Sequence, residues 1–157
     1  MGHLVFVYGS LMRGLCNHGV LEGAGGGDSA TLCSLDLEMV SLGAFPALVQ
    51  RKEPHSREGA SPRILGEVYR VSDEGLRDLD MLEGHPRFYR RRLLGVCSRD
   101  AMVDAWVYAL DREAREHETL VGQHRRLVAV PGNWAVVSWR RHLNDRDCGL
   151  SQQGGAS

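Results

Sequence analysis

The chain has 157 residues, 43% hydrophobic and 25% charged, the proportions of one soluble domain built on a single core. A formal net charge of −1 gives no electrostatic reason for nucleic acid or an anionic membrane as partner. Apolar runs such as Leu4–Val7 are far too short for a bilayer span or a signal-peptide core, and His3 alone makes no basic leader, so a cytoplasmic protein is expected.

In chain order, a buried strand is expected over Leu4–Tyr8, ending at Gly9. Gly23–Asp28 holds four glycines in six residues and reads as a loop; it has no G-K-[ST], which argues against a phosphate cradle. Leu35, Leu37 and Met39 alternate with Asp36 and Glu38, the period of a half-buried strand. Gln50–Pro62 is polar, with two prolines and three basic residues, and reads as an exposed excursion before a strand at Ile64–Val71.

The strongest helix follows. Ser72 can cap it, Asp73 and Glu74 occupy its first turn, and Gly84 with Pro86 ends it. Leu76, Leu79 and Leu82 predict its inward stripe. Strands are expected again at Arg91–Cys97, Met102–Leu110 and Ala135–Trp139, with a short helix or turn at Glu113–Glu118. Residues 1–140 read as one α+β domain with a mixed, curved or barrel-like sheet and a few helices; residues 141–157 read as a flexible tail.

Cys16, Cys33, Cys97 and Cys148 lie far apart without a C-x-x-C pair, so reduced thiols are expected and no metal. Cys16 follows the first strand closely enough to line a pocket, although a small semi-buried hydrophobe is the plainer reading. His117-Glu118 begins like H-E-x-x-H, but Val121 stands at the second ligand position. In Arg90-Arg91-Arg92 a strand would turn Arg91 opposite to its neighbours, which argues against a phosphate site.

Two segments carry chemistry. Asp80 and Glu83, three residues apart on the helix, project from nearly one face beside the leucine stripe. Apolar surface disfavours an ionised carboxylate, and a carboxylate neighbour pushes the same way, so Glu83 can titrate near neutrality as a general base requires. Spacing alone fits ordinary solvated charges better. The second segment is the turn Tyr8-Gly9-Ser10-Leu11. A glycine there lets a ligand approach the backbone, and unpaired N–H groups can bind a carboxylate or a developing oxyanion. A plain strand-ending turn fits the same residues.

Together the two segments resemble the γ-glutamyl cyclotransferase superfamily, closest to the γ-glutamylamine (AIG2-like) branch. The resemblance rests on Leu4–Gly14 with Asn17-His18, Phe45-Pro46-Ala47-Leu48, Gly66-Glu67-Val68-Tyr69, Leu79-Asp80-Met81-Leu82-Glu83 and Tyr89-Arg90, in that order. Ser10 stands where the amine branch often has threonine, and Gly132-Asn133-Trp134 looks more like bacterial-type relatives. The resemblance implies a lyase that closes a γ-glutamyl amine, such as γ-glutamyl-ε-lysine, to 5-oxoproline plus free amine. Glu83 would be the acid/base, Tyr8, Gly9, Ser10, Leu11 and Tyr89 would hold the substrate, and no cofactor would be needed. A relative acting on γ-glutamyl amino acids or other conjugates, and a non-catalytic binding module of the same fold, remain open alternatives.

Overall fold

A computed structural model of the chain describes residues 2–34, 36–42, 45–50, 63–110, 125–126 and 136–144. In chain order the elements are β1 (His3–Val7), a 3-10 turn (His18–Leu21), β2 (Gly25–Cys33), β3 (Leu37–Ser41), β4 (Pro46–Gln50) and β5 (Arg63–Val71). Helix α1 (Asp73–Glu83), β6 (Tyr89–Ser98), β7 (Ala101–Leu110), β8 (Arg125–Arg126) and β9 (Val136–Val137) follow. Residues 139–144 are helical.

The larger sheet runs β1-β7-β6-β2-β5, and β5 pairs back with β1, so these strands close into a barrel with β9 added beside β5. β1 is the seam: it lies antiparallel to β5 and parallel to β7. Its Val5, Phe6 and Val7 are almost wholly buried, as a β-branched and aromatic run between two partner strands requires. Gly66 of β5 lies where an added Cβ would come within 2.3 Å of the Val7 carbonyl oxygen. The β6–β7 hairpin turns through Arg99 and Asp100, both at positive φ, the twist that suits right-handed strands. A smaller sheet, β4-β3-β8, packs over one end of the barrel.

Helix α1 keeps its expected limits. Ser72 Oγ accepts from the Gly75 N–H at 3.0 Å, and Gly84 ends the helix in the left-handed region at φ 66°. Leu76 and Leu79 are buried, but Leu82 is 43% exposed and departs from the expected stripe, because it lies at the rim of a cleft.

Two expectations are overturned. The glycine run begins a strand rather than a loop: Gly26 and Gly27 take φ near 90° and form a bulge in the β2–β5 ladder between Gly26 and Asp28. An added Cβ on Gly26 would sit 2.9 Å from the Val68 carbonyl oxygen, so the bulge brings backbone against backbone. The last strand is two residues long, and the chain is already helical at Trp139, whose side chain is 1% exposed in the core. Residues 140–144 continue the helix that begins at Trp139. The expected features at Leu35, 51–62, Glu113–Glu118, His117 to His124, Gly132–Trp134 and 145–157 lie outside the described residues.

Candidate active site

A cleft of about 280 Å³ opens where the end of β1, the start of β4, the end of α1 and the facing parts of β6 and β7 meet. Its size is at the lower end for small-molecule pockets, enough for one short acyclic head group. The structure brings Tyr8, Gly9, Ser10, Leu11, Glu83 and Tyr89, far apart in sequence, to this one cleft. Residues that sequence reasoning did not place there are Tyr108, Phe45, Pro46 and Phe88.

Glu83 ends α1 half-buried among these groups. Burial pushes its carboxyl up to about 7 from an ordinary value of 4.5. Its position in the last turn of α1, where the helix dipole opposes negative charge, acts in the same direction. Asp80 does not contribute as expected. Its charge is spent on Arg91, whose Nε donates to Asp80 Oδ1 at 2.9 Å. Burial works to raise the Asp80 carboxyl, but Arg91 and the Tyr108 hydroxyl outweigh it and hold the group below the usual carboxylate range. Arg91 turns inward between exposed Arg90 and Arg92, as the strand period requires. Gly84 steers the chain back so that Phe88 and Tyr89, packed edge to face at 4.9 Å, join the wall beside Glu83.

The opposite wall is backbone. After β1 the chain turns tightly, with the Met12 N–H donating to the Gly9 carbonyl at 3.0 Å. Asn17, which also lines the cleft, holds the turn: its side-chain amide donates to Ser10 Oγ at 2.8 Å and its backbone N–H to the Ser10 carbonyl at 3.0 Å. Among the described residues, nothing accepts a hydrogen bond from the N–H groups of Gly9, Ser10 or Leu11. Gly9 is needed for packing, since an added Cβ would lie 2.8 Å from Pro46 Cγ. The space expected for a ligand at that carbon is filled by the proline ring.

Two phenols staple the small sheet to the barrel. The Tyr8 hydroxyl donates to the Tyr108 carbonyl at 2.6 Å and accepts from the Leu48 N–H at 3.2 Å. The Tyr89 hydroxyl donates to the Pro46 carbonyl at 2.9 Å. Burial first, then neighbouring Tyr89 and Glu83 for Tyr8, and Glu83 for Tyr89, raise both phenols well above their ordinary value, so neither ionises at neutral pH. Tyr8 and Tyr89 thus shape the cleft with their rings while their hydroxyls serve the fold. Cys16 lines the cleft as an exposed free thiol, which replaces the plainer reading of a semi-buried hydrophobe.

Comparisons with known proteins place the chain in a family. The family model described as gamma-glutamyl cyclotransferase, AIG2-like, matches residues 5–134. A Vibrio cholerae protein named as a candidate gamma-glutamylcyclotransferase is 32% identical over 124 residues, covering 76% of this chain and 92% of its own. Human gamma-glutamylaminecyclotransferase is 36% identical over 99 residues, 59% of this chain and 61% of its own length. Among solved structures, a mouse AIG2-like protein superposes with a TM-score of 0.57 at 30% identity, over 73% of this chain and 81% of that one. The uropathogenic Escherichia coli protein c4763, at 15% identity and a TM-score of 0.62 over 92% of this chain and 97% of that one, shares the fold. With the barrel, the cleft and a match spanning most of its length, the chain belongs to the γ-glutamyl cyclotransferase, AIG2-like family.

Proposed function

We propose that the protein is a γ-glutamylamine cyclotransferase, converting a γ-glutamyl amine such as γ-glutamyl-ε-lysine to 5-oxoproline and the free amine, with Glu83 as general acid/base. The observation that carries the reading is a carboxyl raised to about 7 in the same small cleft as backbone N–H groups that have no acceptor among the described residues. Ionised Glu83 takes a proton from the substrate's α-ammonium, and the freed amine attacks the γ-carbonyl carbon to form the new C–N bond. Charge gathers on the carbonyl oxygen, where the N–H groups of Gly9, Ser10 and Leu11 meet it. Collapse breaks the bond to the leaving nitrogen, which takes the proton back from Glu83; the ring nitrogen then gives its second proton to the freed carboxylate, which passes it to the departing amine, so that a neutral lactam N–H and an ammonium product result. The attack is intramolecular, so holding a productive rotamer supplies much of the acceleration, on the order of 7 kcal/mol or more.

An amine with an alkyl stem is favoured by the rim, where Phe45 and Leu82 are 38% and 43% exposed and Phe88 lies alongside. A second reading, on γ-glutamyl amino acids, keeps the same γ-glutamyl head in the cleft, and the name of the Vibrio cholerae relative specifies no amine. Both are tested by mass-spectrometric detection of 5-oxoproline over a panel of γ-glutamyl amines and γ-glutamyl amino acids. Highest kcat/KM on the amines is expected; preference for the amino acids selects the second reading. Release of 5-oxoproline from none of them would leave a binding module of this fold. Glu83→Gln should lower kcat by roughly a hundredfold to ten-thousandfold with the fold intact by circular dichroism, and near-normal turnover by that variant would overturn the role given to Glu83.

A further inference from the structure

Asp80 lies one helical turn before Glu83, yet its carboxylate faces the barrel rather than open water. Its Oδ1 receives both Nε of Arg91, at 2.9 Å, and the hydroxyl of Tyr108, at 2.7 Å. Arg91 is itself fixed over the Trp106 ring, 4.4 Å from the centroid. An ionised carboxylate has no proton to give, so Tyr108 is the donor in this contact. A phenol carries a single proton. With that proton on Asp80, the Tyr108 oxygen can offer only lone pairs to anything else.

Tyr108 lines the cleft, and its hydroxyl is near enough to feel the charge of Glu83. The neighbouring phenols are in the same condition, since the protons of Tyr8 and Tyr89 are held by the carbonyls of Tyr108 and Pro46. The wall around Glu83 therefore presents acceptors, whereas the wall at Gly9, Ser10 and Leu11 presents N–H donors. A γ-glutamyl head has the complementary polarity: donors on its α-ammonium, acceptors on its carboxylate and γ-carbonyl.

We infer that Tyr108 accepts a hydrogen bond from the substrate's α-amino group, and that Asp80 is a positioning residue which holds Tyr108 in that acceptor state. The inference rests on the cyclotransferase reading above. It gives the cleft a direction: the nucleophilic nitrogen lies between Glu83 and Tyr108, and the γ-carbonyl turns towards the β1 turn. Glu83 then finds the proton it must remove already aimed at it, without having to bind the ammonium alone.

The test compares the unmodified protein, Tyr108→Phe, Asp80→Asn and the double variant, using γ-glutamyl-ε-lysine as substrate. Tyr108→Phe keeps the ring and removes the acceptor, so KM should rise roughly tenfold or more, the effect of losing a hydrogen bond to a charged group, with kcat changed only a few-fold. Asp80→Asn lets the phenol proton turn towards the substrate and should raise KM several-fold. Because Asp80 acts through Tyr108, the double variant should match Tyr108→Phe alone. Additive losses would assign Asp80 a merely structural role and overturn that half of the inference. A second probe is the matching glutaric acid monoamide, which lacks the α-amino group, as an inhibitor. Its affinity should be the same for the unmodified protein and Tyr108→Phe; a parallel loss would show that Tyr108 does not meet the amine, and would overturn the other half. If the unmodified protein turns over no γ-glutamyl amine, the cyclotransferase reading fails and this inference with it; turnover with an unchanged KM in Tyr108→Phe sinks the inference alone.

Discussion

Holding the Glu83 carboxyl at about 7 means that the folded chain binds this proton more tightly than the unfolded chain, where the group titrates near 4.5. Folding therefore favours the neutral form, and stability falls as pH rises from about 4.5 to about 7, levelling off above. The loss is on the order of 3 kcal/mol, at ~1.4 kcal/mol for each unit between the two values. Glu83→Gln replaces the carboxyl by a neutral shape-mimic, so at pH 8 its Tm should exceed that of the unmodified protein by several degrees, and near pH 4 the two should coincide. A scanning-calorimetry pair at these pH values checks it; equal Tm values at pH 8 would mean that Glu83 is not held in a desolvated state. Catalysis asks for the ionised form, so log kcat/KM, which reports the free protein, should climb with pH up to about 7 and then flatten. The groups facing Glu83, which are Tyr8, Tyr89 and Tyr108, all have raised values and stay neutral across that window, so the limb belongs to Glu83. In the sequence this residue was legible as an acid beside a leucine stripe, and burial, the first cause expected there, is the one that raises it; the second, the Asp80 charge, is not, because Arg91 from β6 neutralises it.

At the scale of elements, α1 and the turn after β1 are set by different means. The helix is local: Ser72 caps it and Gly84 stops it, and both are visible in the sequence. Ser72→Ala should cost about 1 kcal/mol and lower Tm by a few degrees while leaving KM unchanged, because the cap lies at the far end of α1 from Glu83. The turn depends on the proline of β4. Gly9→Ala would place a methyl carbon 2.8 Å from Pro46 Cγ, so either the turn or β4 must move. Stability should fall by roughly 1–3 kcal/mol, and kcat/KM should fall more than tenfold as the Gly9–Leu11 amides shift. Denaturant melts and initial rates on one preparation read both; a Gly9→Ala protein with normal kcat/KM would remove these amides from the mechanism. The glycine run shows the limit of composition: it suggested a loop, whereas positive φ at Gly26 and Gly27 makes a bulge inside a barrel strand.

For the whole molecule, closure is what assembles the site. β1 joins β5 to β7, so the turn after β1 is carried to the same end of the barrel as Glu83, and the Tyr8 and Tyr89 hydroxyls then tie β4 across it. Trp139 enters the core from the C-terminal side, and the segment after it reaches the back of the β1 turn, where Arg140 Nη2 donates to the Arg13 carbonyl at 2.8 Å. Trp139→Ala should therefore cost about 3–5 kcal/mol, a large share of an ordinary domain's stability, and be seen as a markedly earlier urea midpoint. An unchanged midpoint would mean that the C-terminal segment is not part of the cooperative unit.

By itself the sequence determined the pieces whose causes are local. Alternating and β-branched runs gave the strands, a cap and a stop gave the helix, and the two short segments at Tyr8–Leu11 and Leu79–Glu83 pointed to the family. Only the tertiary structure decided what those pieces do to one another: that Asp80 serves Arg91 and Tyr108, that Gly9 makes room for Pro46, and that Tyr108 faces Glu83. The reason is physical. Burial, hydrogen-bond partners and carboxyl pKa depend on atoms brought close by barrel closure, from positions dozens of residues apart, and no local pattern records them.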